Sequence, residues 1–259
     1  MYKQIISDFL KGLFDSLRLD YFFNAIKKND KIDNTARSIF RFNSAIYFLP
    51  HIILGLLGYI FGVNLTFILY YFIYPLNLMS VFAHIYFYSN LIGSLTVFAK
   101  IESKTFLDLV SFTITMAIYR LVINLTTRLA YIIFNPKLHF IINLMGIFML
   151  TIYHSYNCFN NLWHHKKINL GEMINLCEQS WPYYIGYGII ATLLYLFKYH
   201  PVIAGLYNLH IALILSIPFL NKNTYPRKKP VYPKINLSLY SHIMGHLMNF
   251  AKMIAIKLG

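Results

Sequence analysis

The stretch that decides the fold runs from Phe42 to Ala99 and reads FNSAIYFLPHIILGLLGYIFGVNLTFILYYFIYPLNLMSVFAHIYFYSNLIGSLTVFA, without any Asp, Glu, Lys or Arg. About 20 apolar residues already cross a bilayer as a helix, so this stretch is long enough for two crossings. The whole chain of 259 residues is 58% hydrophobic and only 12% charged, whereas about a quarter of the residues in a soluble domain are charged. The composition indicates an all-α, polytopic membrane protein and excludes a soluble globular enzyme and a nucleic-acid-binding domain.

The basic residues are concentrated at the two ends of the chain. The net charge is +14, and most lysines and arginines precede residue 42 or follow residue 220. Basic segments that flank a membrane core stay on the cytosolic side, where anionic lipids attract them. This distribution predicts that both termini are cytosolic and that the basic residues face the lipid bilayer rather than nucleic acid.

Polar interruptions divide the membrane core into six helical segments. A basic N-terminal region covers 1–41, a helical membrane domain 42–220 and a basic cytosolic tail 221–259. Six crossings place both ends on one side, in agreement with the charge distribution. The predicted segments run over 45–63, 66–98, 107–134, 138–162, 182–198 and 201–219.

The last two segments allow a second topology. They are short and are joined only by Lys198, Tyr199 and His200 before Pro201, so together they could form a hairpin that penetrates half of the bilayer. Lys198 and His200 would then lie near the middle of the membrane, which is costly unless they line a wet cavity. The sequence leaves open whether residues 182–219 cross fully or form this hairpin.

Both ends of the chain carry amphipathic patterns. Over residues 2–23, apolar side chains recur at helical spacing, with charged side chains elsewhere around the helix, and residues 238–258 show a similar pattern. An N-terminal helix of this kind lies on the membrane surface or packs on the protein's own cytosolic face, and the pattern fits both. Residues 27–41 are predicted to form a polar, basic connector.

The residue types that enzyme chemistry requires are sparse. A pair of intramembrane aspartates is impossible, because Asp108 is the sole aspartate beyond Asp33. No histidine is followed by glutamate, so the zinc-protease pattern HExxH is absent from the sequence. We therefore expect a protein that is not an enzyme and that uses no cofactor and no metal.

Polar residues recur on one predicted face of the third segment and on one face of the fourth. A charge near the middle of a span is expensive, so such a residue normally faces the protein interior. Arg120 is in this position. The residues of this candidate face are Arg120, Asn124 and Arg128 on the third segment and Asn143, His154 and Asn157 on the fourth.

Two interpretations of this face are open. In the first, it lines a path for an anion or a polar lipid headgroup, with the arginines as ligands. In the second, Arg120 pairs with histidine, asparagine or carbonyl groups and fastens helices together. A path for cations is disfavoured, because the membrane core has few acidic residues.

The most distinctive segment is Glu178 to Gly188, which reads EQSWPYYIGYG. Pro182 suits the first turn of a helix, and Trp181 suits a membrane interface. Gly186 and Gly188 allow another helix to approach closely. The segment is predicted to be a packing and interface-anchoring element, because apart from Glu178 it offers no base, nucleophile or metal ligand suited to chemistry.

This segment resembles the E-x-x-W-P-Y-Y-x-G-x-G signature of the etoposide-induced 2.4 family. The matching residues here are Glu178, Trp181, Pro182, Tyr183, Tyr184, Gly186 and Gly188. The stretch Phe9-Leu10-Lys11-Gly12-Leu13 is similar to the F-L-x-G-L start of that family. The chain is shorter than the eukaryotic members and lacks their long charged insertion.

The resemblance implies residence in the endoplasmic reticulum membrane and a role in autophagy, with membrane or cytosolic autophagy proteins as partners. It does not imply an enzyme. The family is distantly similar to the bacterial CysZ sulfate permeases. That similarity implies permeation of a sulfate-like anion and helices that penetrate halfway.

Overall fold

The computed structural model describes residues 1–99, 106–168, 170–221 and 232–235. Within these ranges the regular structure is entirely helical, which confirms the all-α prediction there. The amphipathic helix expected over 238–258 lies outside the described residues. The helices are α1 (Tyr2–Ser16), α2 (Leu19–Lys28), α3 (Asp30–Asn43), a π-helical turn (Ser44–Phe48), α4 (Leu49–Phe61), α5 (Phe67–Phe98), α6 (Phe106–Ile133), a 3₁₀ turn (Pro136–Leu138), α7 (His139–His165), α8 (Leu170–Gln179), α9 (Trp181–Leu196) and α10 (Pro201–Leu220).

The predicted membrane segments coincide with helices to within a few residues. In the described part of the chain, three helical stretches are long and apolar enough to cross a membrane: Asp30–Phe61, Pro136–Trp163 and Pro201–Leu220. This is fewer than the six segments that the sequence predicts. The helix α9 has 16 residues, or about 24 Å of length, against a hydrocarbon thickness of about 30 Å.

The N-terminal region differs from the prediction in two places. The helix expected over 2–23 ends at Ser16, and α2 begins after a break at Leu17 and Arg18. The polar connector expected over 27–41 is largely helical, because α3 occupies most of it. The α3 start is capped by Asn29, whose side-chain oxygen accepts hydrogen bonds from the backbone N–H groups of Lys31 (3.0 Å) and Ile32 (3.2 Å).

The chain forms two compact units. The first contains α1, α6, α7, α8, the first part of α9 and residues 232–235. Its core is aromatic: the ring of Phe159 lies 4.8 Å from Tyr187, 5.3 Å from Tyr184 and 5.6 Å from Trp163, centroid to centroid. These side chains are fully buried, so α7 and α9 are joined mainly by large rings packed edge to face.

The second unit contains α2 to α5, the end of α9 and α10. Its central helix is α10, which contacts α2, α3, α5 and the π-helical turn. The turn widens the helix just before Pro50, whose ring would clash with a carbonyl one turn earlier in a regular α-helix. Tyr47 of this turn is fully buried and donates a hydrogen bond of 2.9 Å to Ser80 Oγ.

Candidate functional site

The candidate site is the motif helix α9 with the elements of the first unit that pack on it. The helix α8 ends at Gln179 and α9 begins at Trp181, so Ser180 alone separates them. Its backbone carbonyl accepts the N–H of Tyr183 at 3.0 Å. Pro182 lies in the first turn, where the missing N–H costs nothing. The break between α8 and α9 therefore follows from the Ser-Trp-Pro sequence.

Glycines bring three helix backbones into direct contact at α9. A Cβ on Gly186 would meet the carbonyl of Phe9 in α1, and a Cβ on Gly12 would meet the carbonyl of Tyr183. A Cβ on Gly188 would meet the carbonyl of Thr151 in α7. The close helix approach that the sequence predicts at Gly186 and Gly188 is present, since no larger side chain fits at either position.

The face of α1 that packs on α9 is small and polar. Gly12, Asp15 and Ser16 are buried, and Tyr183 OH donates a hydrogen bond of 3.0 Å to Asp15 Oδ2. The apolar stripe of the same helix points outward: the exposed fractions are 58% for Ile6, 41% for Leu10 and 63% for Phe14. The helix therefore packs on the protein with its small polar face and presents its apolar face outward.

On the other side of α9, α7 is held by two hydrogen bonds. His154 Nδ1 lies 3.0 Å from Thr192 Oγ1, and Ser155 Oγ donates to the carbonyl oxygen of Tyr184. His154 and Ser155 are fully buried. The predicted face residue His154 therefore fastens α7 to α9.

A short C-terminal segment, Tyr232–Ile235, lies against the motif, and we call it the clasp segment. Lys234 Nζ lies 2.7 Å from Glu178 Oε2 and 2.9 Å from Asn175 Oδ1. Trp181 Nε1 donates to the carbonyl of Pro233 at 3.2 Å. Tyr232 OH donates to Asp8 Oδ2 at 2.9 Å. The sequence analysis missed this segment.

Burial explains two features of these contacts. The Glu178 side chain is 7% exposed, so its charge needs the Lys234 ammonium beside it. Burial, reinforced by the hydrogen bond to the Asp8 carboxylate, raises the pKa of Tyr232 above its ordinary value. The phenol consequently stays protonated at neutral pH and remains a hydrogen-bond donor.

The chain is 33% identical over 252 residues to the protein named "Uncharacterized protein L211" of Acanthamoeba polyphaga mimivirus, and the match covers 96% of each chain. It belongs to the same family as this mimivirus protein. No protein-family model and no solved structure matches the chain.

The polar residues predicted to form one face on the third and fourth segments differ in their solvent exposure. Arg128 and Asn143 are exposed, Arg120, Asn124 and Asn157 are half-buried, and His154 is buried against Thr192. Arg128 is eight residues beyond Arg120, which rotates it by about 80° around the helix. Thr127, by contrast, lies against Gly146 of α7, whose Cβ would come within 3.1 Å of the Thr127 hydroxyl.

The site offers little for covalent or metal chemistry. Among the described residues, no group of three or more His, Cys, Asp or Glu side chains is placed to hold a metal ion. Cys177 is buried next to Glu178, and burial raises the pKa of its thiol far above the ordinary value. A thiol of this kind is inert. The arrangement is suited to binding and packing.

A second buried polar cluster lies in the other unit. Asn43 Nδ2 donates to the carbonyl of Ile39 at 2.8 Å and lies 3.3 Å from His84 Nε2. The His84 ring stacks on Tyr88, with the centroids 5.2 Å apart. Tyr88 OH in turn donates to the carbonyl of Asn208 at 2.7 Å. His84 and Tyr88 lie within the second predicted segment, whereas Asn43 precedes the first.

Proposed function

We propose that the protein is a non-enzymatic, multi-pass membrane protein of the endoplasmic reticulum, with both termini cytosolic, that supports autophagy and membrane homeostasis through contacts with lipid and partner proteins. The observation that carries this proposal is the use of the motif Glu178–Gly188. Its residues join three helices and hold the clasp segment. A motif devoted to assembly supports a scaffold role.

The contact between Asp8 and Tyr232 supports the proposed topology. Two residues that share a hydrogen bond of 2.9 Å lie at the same depth, so the chain crosses the membrane an even number of times between them. Six crossings satisfy this parity. Four crossings plus a half-penetrating hairpin over 182–219 satisfy it too, and the short α9 supports the hairpin.

Exposed apolar residues support the bilayer as a partner. Along α4, the exposed fractions are 56% for Ile52, 60% for Leu56, 70% for Ile60 and 68% for Phe61. A soluble protein rarely exposes a contiguous apolar surface of this kind. On a membrane helix the same residues contact acyl chains.

The proposal is tested by expressing the tagged protein in cultured cells. We expect it to colocalise with an endoplasmic-reticulum marker, and we expect its loss to block the maturation of autophagosomes, measured by the turnover of a lipidated autophagosome marker. The Gly186→Leu variant should lose this activity in proportion to its lower protein level. Normal autophagosome turnover in cells that lack the protein would reject the proposal.

An anion permease is the second candidate, because Arg120 keeps a half-buried position on α6. Uptake of radioactive sulfate into proteoliposomes tests it. Flux that Arg120→Leu abolishes would establish a permease. The exposed Arg128 provides a matched control: Arg128→Leu should leave any flux unchanged if Arg120 is the anion ligand. The absence of flux in the wild-type protein would leave the scaffold role as the function.

A further inference from the structure

The clasp segment is held by contacts that are specific to its side chains. The ring of Tyr232 packs edge to face on Trp181, with the centroids 6.1 Å apart, and Tyr232 is only 5% exposed. Lys234 meets a carboxylate and an amide oxygen. Each of these side chains therefore occupies a place that few other residue types fit.

Backbone hydrogen bonds fix the direction of the segment. The carbonyl of Pro233 accepts the indole N–H of Trp181, and the N–H of Ile235 donates to the carbonyl of Glu178 at 3.3 Å. Peptide-recognition sites combine side-chain contacts, which select the peptide sequence, with backbone hydrogen bonds, which fix the direction of the peptide. The receptor side consists of Asp8, Asn175, Glu178 and Trp181, which we call the clasp site.

Charge distinguishes the clasp site from the rest of the chain. The protein carries 23 basic and 9 acidic residues, and two of those acids, Asp8 and Glu178, face the clasp segment. The net positive charge of the protein repels a basic tail, whereas the two carboxylates of the clasp site attract it. This complementarity favours a lysine-containing segment of the chain itself over an acidic partner.

We propose that the clasp site is a peptide-binding site for the sequence Tyr-Pro-Lys, and that its occupant is the chain's own segment, held reversibly. Reversibility follows from the solvent access of the contact, because the Lys234 side chain is 51% exposed even when it is paired. In the occupied state the tail is tied to α1. In the empty state the site accepts the same sequence as a free peptide.

Limited trypsin digestion of the full chain in detergent micelles measures release, because trypsin cleaves after Lys234 only when the segment leaves the site. We expect Glu178→Gln to accelerate this cleavage about tenfold, as the loss of one charge-assisted hydrogen bond implies. Glu172→Gln, the same change on the exposed first turn of α8, is the matched control and should leave the rate unchanged. Equal rates in both variants and the wild type would overturn the proposal.

A second measurement does not depend on the stability of the Glu178 variant. The full chain with Tyr232→Phe and Lys234→Gln keeps the clasp site but weakens its own ligand. A fluorescent peptide of residues 230–238 should bind this variant and should bind the wild type at least tenfold more weakly. A peptide with the same two substitutions should not bind. If the wild-type peptide fails to bind the variant, the clasp is not a peptide-binding site. If the wild-type chains exchange tails and form dimers, the occupant is a second copy and the intramolecular assignment is wrong.

Discussion

Gly12 of α1 and Gly186 of α9 fit against each other's helix backbones in a reciprocal contact. The position of a Cβ on Gly12 lies 2.9 Å from the backbone nitrogen of Tyr187, and that of a Cβ on Gly186 lies 3.0 Å from the backbone nitrogen of Leu13. Neither helix can carry a side chain here without moving the other. The crossing of α1 over α9 therefore depends on these two positions.

The first prediction concerns this crossing. Gly186→Ala should destabilise the protein by about 1–3 kcal/mol, as inserting extra methyl groups into a packed core does, and should lower its melting temperature in detergent. Gly93→Ala is the matched control, because a Cβ on Gly93 meets no atom of the described residues within 4 Å. That control should be neutral or stabilising, since alanine is favoured over glycine within a helix. Equal melting temperatures for the two variants would contradict the role of Gly186.

The second prediction concerns the arginines of α6. If Arg120 only fastens helices, Arg120→Gln should lower thermal stability, and sulfate should not change the melting temperature of the wild type. If Arg120 binds an anion, sulfate should stabilise the wild type more than the variant. Arg128→Gln should have little effect on stability, because Arg128 is exposed. A thermal-shift series with and without sulfate separates these outcomes.

The third prediction concerns pH. The pKa of Tyr232 is raised in the clasp, so the clasped form holds its proton more tightly than the released form. The clasp is therefore complete at neutral pH and is lost as the pH rises above about 10, the ordinary pKa of tyrosine. The difference in tyrosinate absorbance between the wild type and Tyr232→Phe reports this titration. A midpoint at or below the ordinary value would show that Tyr232 is not buried against Asp8.

The fourth prediction concerns topology. Protease added to sealed microsomes should digest tags fused to both ends of the chain, because basic segments that flank a membrane core generally stay on the cytosolic side. Detergent-permeabilised microsomes provide the control for complete digestion. Protection of one tag alone would require an odd number of crossings, which is incompatible with the contact between Asp8 and Tyr232.

The sequence predicts the helix positions well, because charge-free runs, prolines and the Asn135-Pro136 turn delimit them directly. The close contacts at Gly186 and Gly188 were predictable, because small residues in membrane helices are typical of close helix packing. The helix α3 was not predicted because its composition is mostly polar. Its helical signals are only the cap at Asn29 and a narrow buried stripe of Ile32 and Ile39.

The faces of α6 and α7 were predicted less well, because a helix that passes several neighbours changes its buried side along its length. Near Gly146, α7 packs on Thr127 of α6, whereas at His154 it packs on Thr192 of α9. A single helical stripe cannot describe both environments. The clasp segment has no periodic pattern, so its contacts with Glu178 and Trp181 could not be derived from spacing.

The placement of α1 has a consequence for biogenesis. Its polar partners, Tyr183 and Tyr232, follow Asp15 and Asp8 by more than 160 residues in the chain. Ribosomes add about 5–20 residues per second, so α1 waits on the order of ten seconds or more after its own synthesis before its docking surface exists. During that interval its exposed apolar stripe is free to associate with lipid or a chaperone. A nascent chain that stops before the clasp segment lacks Tyr232 and therefore leaves the ribosome without the hydrogen bond from Tyr232 to Asp8.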